Sequence, residues 1–166
     1  MSRAFVKEND LEHAGIDIPE RPVSKSPNYV TNCGLEELLS KAKDLEQDIE
    51  NLVNPKNNPE ENHLKMKFER DLRYYSSRIQ SAILVDTKKQ SGEKILFGAH
   101  LELKDENHKS YLFQIVGEDE ADIKKNKLSY QSPLAQTLIG GLLGEEVLWQ
   151  RADGDLIVVI EKVEYK

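Results

Sequence analysis

Apolar residues recur at alternating steps of three and four along two stretches of the chain. Leu35, Leu38, Ala42, Leu45, Ile49 and Leu52 form the first seam; Leu64, Phe68, Leu72, Tyr75, Ile79 and Ala82 form the second. That spacing places each set on one helix face, as in a helix–helix contact. Between the seams lies Asn54-Pro55-Lys56-Asn57-Asn58-Pro59. Each proline lacks a donor and disfavours helix in the residue before it. Two seams joined by so short a break fold back as an antiparallel hairpin. The outer faces are then wet. Glu36, Glu37, Asp44, Glu46, Asp48 and Glu50 make the first helix acidic; Lys65, Lys67, Arg70, Arg73 and Arg78 make the second more basic.

The seams are flanked by different patterns. Residues 1–30 carry few apolar positions in no period, with Pro19, Pro22 and Pro27 in the second half. They read as an extended arm, either a tail or a segment that packs Phe5, Val6, Ile16 and Ile18 on a neighbouring surface. Thr31 is placed to cap the first helix, with Val30 stapled onto Leu35. From Gly92 the period changes to two. Phe97, Ala99, Leu101 and Leu103 alternate with polar residues, Asp105–His108 turn the chain, and Tyr111, Phe113 and Ile115 resume the alternation, which predicts an antiparallel hairpin. The acids from Glu118 to Asp122 read as a solvated loop, since they lack the spacing of a calcium loop. Leu128–Tyr130 is a short strand, and Ser132-Pro133 opens a helix over Leu134–Ile139 that stops at Gly140-Gly141. Val147–Trp149 and Leu156–Tyr165 are strands joined through Ala152-Asp153-Gly154-Asp155. The sum is an α+β chain: an arm over 1–30, an antiparallel coiled-coil hairpin over 31–88, and an antiparallel sheet with one helix over 89–166.

Charge narrows the partners. The formal net charge of −7 argues against duplex DNA as the main partner, while leaving a local basic stripe on the second helix. The single cysteine, Cys33, excludes an internal disulfide, and neither a leader nor a membrane-length apolar run is evident, so a cytoplasmic protein is expected. No phosphate-binding glycine loop, paired-cysteine zinc spacing, zinc-protease helix or serine elbow is present, and the four histidines are scattered. A self-contained active site is therefore not expected; the chain acts on a larger partner. The tip, Pro59-Glu60-Glu61-Asn62-His63, admits two readings. Acids in a first turn suit the helix dipole. Carboxylates at the end of a rod also suit delivery of a Mg²⁺ ligand into another protein's site.

Residues 115–134, Ile-Val-Gly-Glu-Asp-Glu-Ala-Asp-Ile-Lys-Lys-Asn-Lys-Leu-Ser-Tyr-Gln-Ser-Pro-Leu, resemble the C-terminal domain of the bacterial Gre transcript-cleavage factors, GreA and GreB. Phe97-Gly98-Ala99, the stretch from Ser132 to Gly140 and the closing Val163-Glu164-Tyr165 are similar too, as is Val30-Thr31-x-x-Gly34 at the start of the first helix. The resemblance spans 30–166 and is weaker over the hairpin. It implies an FKBP-like sheet domain that docks on RNA polymerase at the rim of the secondary channel, through Gln131, Ser132 and Pro133, with Gln131 where the family has Asp or Asn. It implies that the chain acts as a monomer with no cofactor of its own. The coiled coil would enter the channel, bringing Lys65, Arg70 and Arg73 near nucleic acid. Its tip would help hold a Mg²⁺ of the polymerase and promote hydrolysis of the nascent RNA 3′ end. The family tip reads Asp-x-x-Glu-Asn; here it is Asn58-Pro59-Glu60-Glu61-Asn62, so Glu61 and Asn62 match, Asn58 stands in place of the Asp, and two-carboxylate coordination of the metal is lost unless Glu60 substitutes. The rod is also shorter than the family's by roughly fourteen residues over two helices, about 10 Å of reach. Three functions follow: a cleavage factor for backtracked complexes, a channel-occupying regulator that does not cleave, like the short-coiled relative Rnk, and a prolyl isomerase. The last lacks an evident aromatic pocket, Trp149 being the only Trp, and fold likeness alone does not support it.

Overall fold

A computed structural model describes residues 18–166. Of the arm residues expected to pack on a neighbouring surface, Phe5, Val6 and Ile16 lie outside the described residues, and Ile18 is half-buried. Strand β1 (Tyr29–Val30) leads into helix α1 (Asn32–Glu50), which returns as α2 (Pro59–Gln80). At 1.5 Å per residue these 19 and 22 residues span about 29 and 33 Å. Thr31 caps α1, its hydroxyl accepting from the Gly34 N–H at 3.0 Å. The helices pack through the seam faces, with Leu38 and Ala42 buried and Phe68, Leu72, Tyr75 and Ile79 half-buried. Burial fades toward the tip, where Leu64 is 41% exposed, because only two helices are there to cover each other.

Strand β2 (Ile83–Leu84) follows α2 and pairs in parallel with β1, an element the apolar periods do not reveal. The second unit is a five-stranded sheet: β3 (His100–Asp105), β4 (Ser110–Val116), β5 (Lys127–Ser129), β6 (Glu146–Trp149) and β7 (Leu156–Glu164), in the order β5-β4-β3-β7-β6. It is mixed rather than purely antiparallel. β5 runs parallel to β4, since the long return through Gly117–Asn126 lets the chain re-enter from the same end. Helix α3 (Pro133–Leu138) lies on one face, where Leu134, Ala135 and Leu138 meet Leu101, Leu103, Ile115, Val158 and Ile160 in one core. The expected alternation begins later than predicted. Phe97 and Ala99 precede β3 because Gly98 turns there at φ +87°, against the side chain of Thr87. No described helix is long and apolar enough to cross a membrane.

Candidate functional site

The joint between hairpin and sheet aims every other candidate residue, and it is built from charges. Arg78, near the end of α2, is 1% exposed. Its Nε donates to Asp119 Oδ2 at 2.5 Å, and its Nη2 donates to Asn28 Oδ1 at 2.6 Å and to Glu118 Oε2 at 3.2 Å. Asn28 returns the contact, its Nδ2 donating to the Arg78 carbonyl at 2.7 Å. Tyr74, one turn earlier, donates its hydroxyl to Asp119 Oδ1 at 2.6 Å. A second set lies beside α1: Thr31 donates to Glu120 Oε2 at 2.6 Å, and Lys127 donates to Glu120 Oε1 at 3.0 Å. Two expectations are thereby corrected. Arg78 is not on the wet outer face of α2, and the acids of 118–122 are not a solvated loop; Glu120 is 6% exposed. The loop is the socket into which the hairpin base plugs. Charges buried this deeply persist only when paired and hydrogen-bonded, as these are.

Backbone contact closes the joint. A Cβ on Gly117 would lie 2.4 Å from the Tyr29 carbonyl oxygen, so only glycine lets β1 come this close to the sheet unit. Gly34 serves the same end on α1, where a Cβ would lie 2.6 Å from Glu120 Oε2.

Burial, then the bond to Asp119, pushes the Tyr74 hydroxyl up to about 12 from an ordinary 10.0. A folded value above the unfolded one means that this group's contribution is fully present below pH 10 and is lost as pH rises through about 12. Alkaline titration followed by tyrosinate absorbance is therefore expected to show a late phase from Tyr74, alongside Tyr165, which burial also raises. Tyr74→Phe should shrink that late phase; an unchanged late amplitude would contradict the burial of this hydroxyl.

At the far end, Asn58 caps α2. Its Oδ1 accepts from Glu60 N at 3.0 Å and Glu61 N at 3.4 Å, while Glu61 Oε2 accepts from Asn54 N at 2.7 Å. Asn58 thus caps α2, and Glu61, which also accepts from Asn58 Nδ2 at 3.4 Å, clamps the turn back onto Asn54. Glu60 and Asn62 are exposed, whereas Glu61 is half-buried. The fold brings Asn58 and Glu61 together and leaves Glu60 the more open carboxylate. Among the described residues no cluster of three or more His, Cys, Asp or Glu side chains could hold a metal. Any ion at this tip would need most of its ligands from elsewhere, and one or two carboxylates suit a Mg²⁺ that keeps its waters.

Gln131, Ser132 and Pro133 sit together at the start of α3. The Ser132 hydroxyl accepts from Ala135 N at 3.3 Å, Pro133 is the first helical residue, and Gln131 and Pro133 are exposed. Gln131 Nε2 donates to the Tyr130 hydroxyl at 2.7 Å, and that hydroxyl in turn donates to the Pro27 carbonyl. The loop is thus tied to the base of the arm. Lys65, Arg70 and Arg73 all lie on α2, but none stands alone. Lys65 is 3.5 Å from Glu69, Arg70 donates to Asp71 Oδ1 at 3.0 and 2.7 Å, and Arg73 Nε donates to Glu20 Oε1 at 3.1 Å. Arg78, Asn28, Tyr74 and Glu120 escape the sequence reading. Asp119 is 41 residues from its arginine, and no local spacing connects them.

Residues 89–165 match the family model described as transcription elongation factor, GreA/GreB, C-term. The chain is 39% identical over 88 residues to transcription elongation factor GreA of Zymomonas mobilis subsp. mobilis, covering 53% of this chain and 56% of that protein. It is 33% identical over 99 residues to transcription elongation factor GreB of Haemophilus ducreyi, covering 60% and 61%. The chain thus spans little more than half the length of these curated relatives. A solved structure of GreA/GreB from Nitrosomonas europaea is similar at 18% identity and a TM-score of 0.43, over 83% of this chain and 99% of that one. Residues 89–165, the sheet unit that carries Gln131, Ser132 and Pro133, thus match the C-terminal domain of the GreA/GreB factors.

Proposed function

We propose that this protein is a transcription elongation factor that binds RNA polymerase through residues 131–133 and directs its hairpin into the secondary channel. The observation that carries this reading is the match of residues 89–165 to the GreA/GreB C-terminal family model, together with the similarity to curated elongation factors. The joint at Arg78 supports it, because a buried ionic socket holds the rod at one angle to the docking domain. The protein is not itself an enzyme in this reading. It acts on backtracked or arrested complexes, where Glu60 and Glu61 would add carboxylate oxygen to a Mg²⁺ of the polymerase and so promote cleavage of the RNA 3′ end by the polymerase. The metal would generate the nucleophile and stabilise charge on the phosphate.

A second reading, a channel-occupying regulator that does not cleave, is favoured by the tip geometry. Glu61 is committed to the Asn54 amide, and Asn58 supplies a neutral oxygen where the family motif has a carboxylate. Adding the protein to a backtracked complex with labelled RNA separates the two. Cleaved 3′ ends that vanish with Glu60→Ala/Glu61→Ala mark a cleavage factor. If the wild-type chain leaves transcripts intact and Asn58→Asp restores cleavage, the missing carboxylate is what silences the tip. Aspartate caps a helix as well as asparagine does, so that variant should keep the fold.

A further inference from the structure

The arm does more than lead into the hairpin. From residue 20 to residue 28 it runs alongside α2 in the same direction, from the level of Asp71–Arg73 to Ser81. Arg21 is its anchor: the guanidinium carbon lies 3.8 Å from the centroid of the Tyr74 ring and 5.1 Å from that of Tyr75, and its Nη1 lies 3.7 Å from Asp71 Oδ1. A cation on two aromatic faces beside a carboxylate is held by several contacts at once. Glu20, its neighbour, is thereby delivered to Arg73, and both Nε and Nη2 of that arginine donate to one carboxylate oxygen.

The three basic residues of α2 are not equivalent in their partners. Glu69 and Asp71 belong to α2 itself and travel with Lys65 and Arg70 wherever the helix goes. The partner of Arg73 comes from 53 residues earlier and is present only while the arm lies where Arg21 fixes it. Arg73 and Glu20 side chains remain 57% and 63% exposed, so a competing anion can reach them. A pair this open is worth little, and a phosphate can displace the carboxylate.

We propose that the arm is an intramolecular mask: Glu20, held in place by Arg21, occupies Arg73 and competes with an RNA phosphate for it. The proposal rests on the reading of α2 as the face turned toward RNA. In that setting the mask lowers the affinity of the free protein for RNA and yields when a phosphate is presented.

The test uses the full chain and a short fluorescein-labelled single-stranded RNA, followed by anisotropy at low salt. Glu20→Gln is expected to tighten RNA binding about three- to fivefold, the range of an exposed ion pair. The salt dependence should steepen by about 0.7, one additional phosphate contact on a single strand. Glu20→Gln/Arg73→Ala should lose that gain. Arg21→Ala, which removes the anchor and leaves the mask charge, should tighten binding in the same direction. An unchanged affinity in Glu20→Gln, no measurable RNA binding by that variant, or a gain that survives Arg73→Ala would each overturn the mask. Polymerase binding by the same variants is scored separately. Its loss from the wild-type chain would sink the functional reading, whereas its retention with an unchanged RNA affinity would sink only the mask.

Discussion

Arg78→Ala is expected to lower unfolding free energy by about 3–5 kcal/mol, the range for removing one partner of a buried ion pair. Among the described residues the Arg78 guanidinium is the one cation paired with Asp119 and Glu118 across the joint, and their side chains are only 11% and 26% exposed. Deleting it leaves two partly buried carboxylates without compensation and takes from Asn28 Oδ1 its charged donor. Arg78→Lys should recover only part of the loss. An ammonium can satisfy one of the three acceptors well, but its point charge cannot reproduce the planar fork. The damage should be local as well as global. The sheet core around Leu103, Ile115 and Leu138 does not include Arg78, so the sheet unit should keep its protection from hydrogen exchange longer than α2 does. Denaturant unfolding measures the first effect and hydrogen exchange the second. A loss below about 1 kcal/mol, the size of a surface ion pair, would mean that the joint is wetter than its geometry indicates.

Much of this architecture is legible in the residues because it rests on local chemistry. Leu38, Ala42, Phe68 and Leu72 lie on the seam that their spacing implies, since two neighbouring helices can only cover each other's apolar stripe. Ser132-Pro133 opens α3 as a cap followed by proline, and Thr31 caps α1, because caps are decided within four residues. What the chain does not reveal is contact between distant segments. The parallel pairing of Tyr29–Val30 with Ile83–Leu84 involves too few residues to leave a period. Arg78 has the look of any solvated helix residue, and the run Glu118–Asp122 looks like any acidic loop. Each becomes buried only because the other is there. Gly117 is the nearest thing to a local sign, since a glycine directly after an apolar strand often marks a close backbone approach. The partner in that approach, the Tyr29 carbonyl, cannot be named without the fold. The candidate site divides the same way. Position and exposure of Gln131 and Pro133 follow from the start of a helix, while the pairing of Arg73 with Glu20 depends on where the arm is laid.

The second large effect is expected at the proposed docking patch, the start of α3. Gln131 and Pro133 are exposed two residues apart at a capped helix start; Ser132 caps the helix, and the Gln131 side chain is held by the Tyr130 hydroxyl, which itself donates to the Pro27 carbonyl. A preorganised patch of this kind loses little conformational freedom on binding, and a few such residues carry most of an interface's affinity. Gln131→Ala/Pro133→Ala is therefore expected to weaken binding to RNA polymerase roughly tenfold or more. Ser132 is left in place in that variant, because removing its hydroxyl would also remove the cap of α3. Leu112→Ser, on the opposite face of the sheet and 58% exposed, serves as the control and should bind as the unaltered chain does.

The measurement that bears most directly on the account is a titration of purified RNA polymerase with the labelled full-length protein, in competition with an unlabelled GreA factor. The account predicts saturable binding that GreA displaces, weakened in Gln131→Ala/Pro133→Ala and unaltered in Leu112→Ser. Absence of binding, or binding that GreA leaves untouched and the docking variant does not weaken, would contradict it.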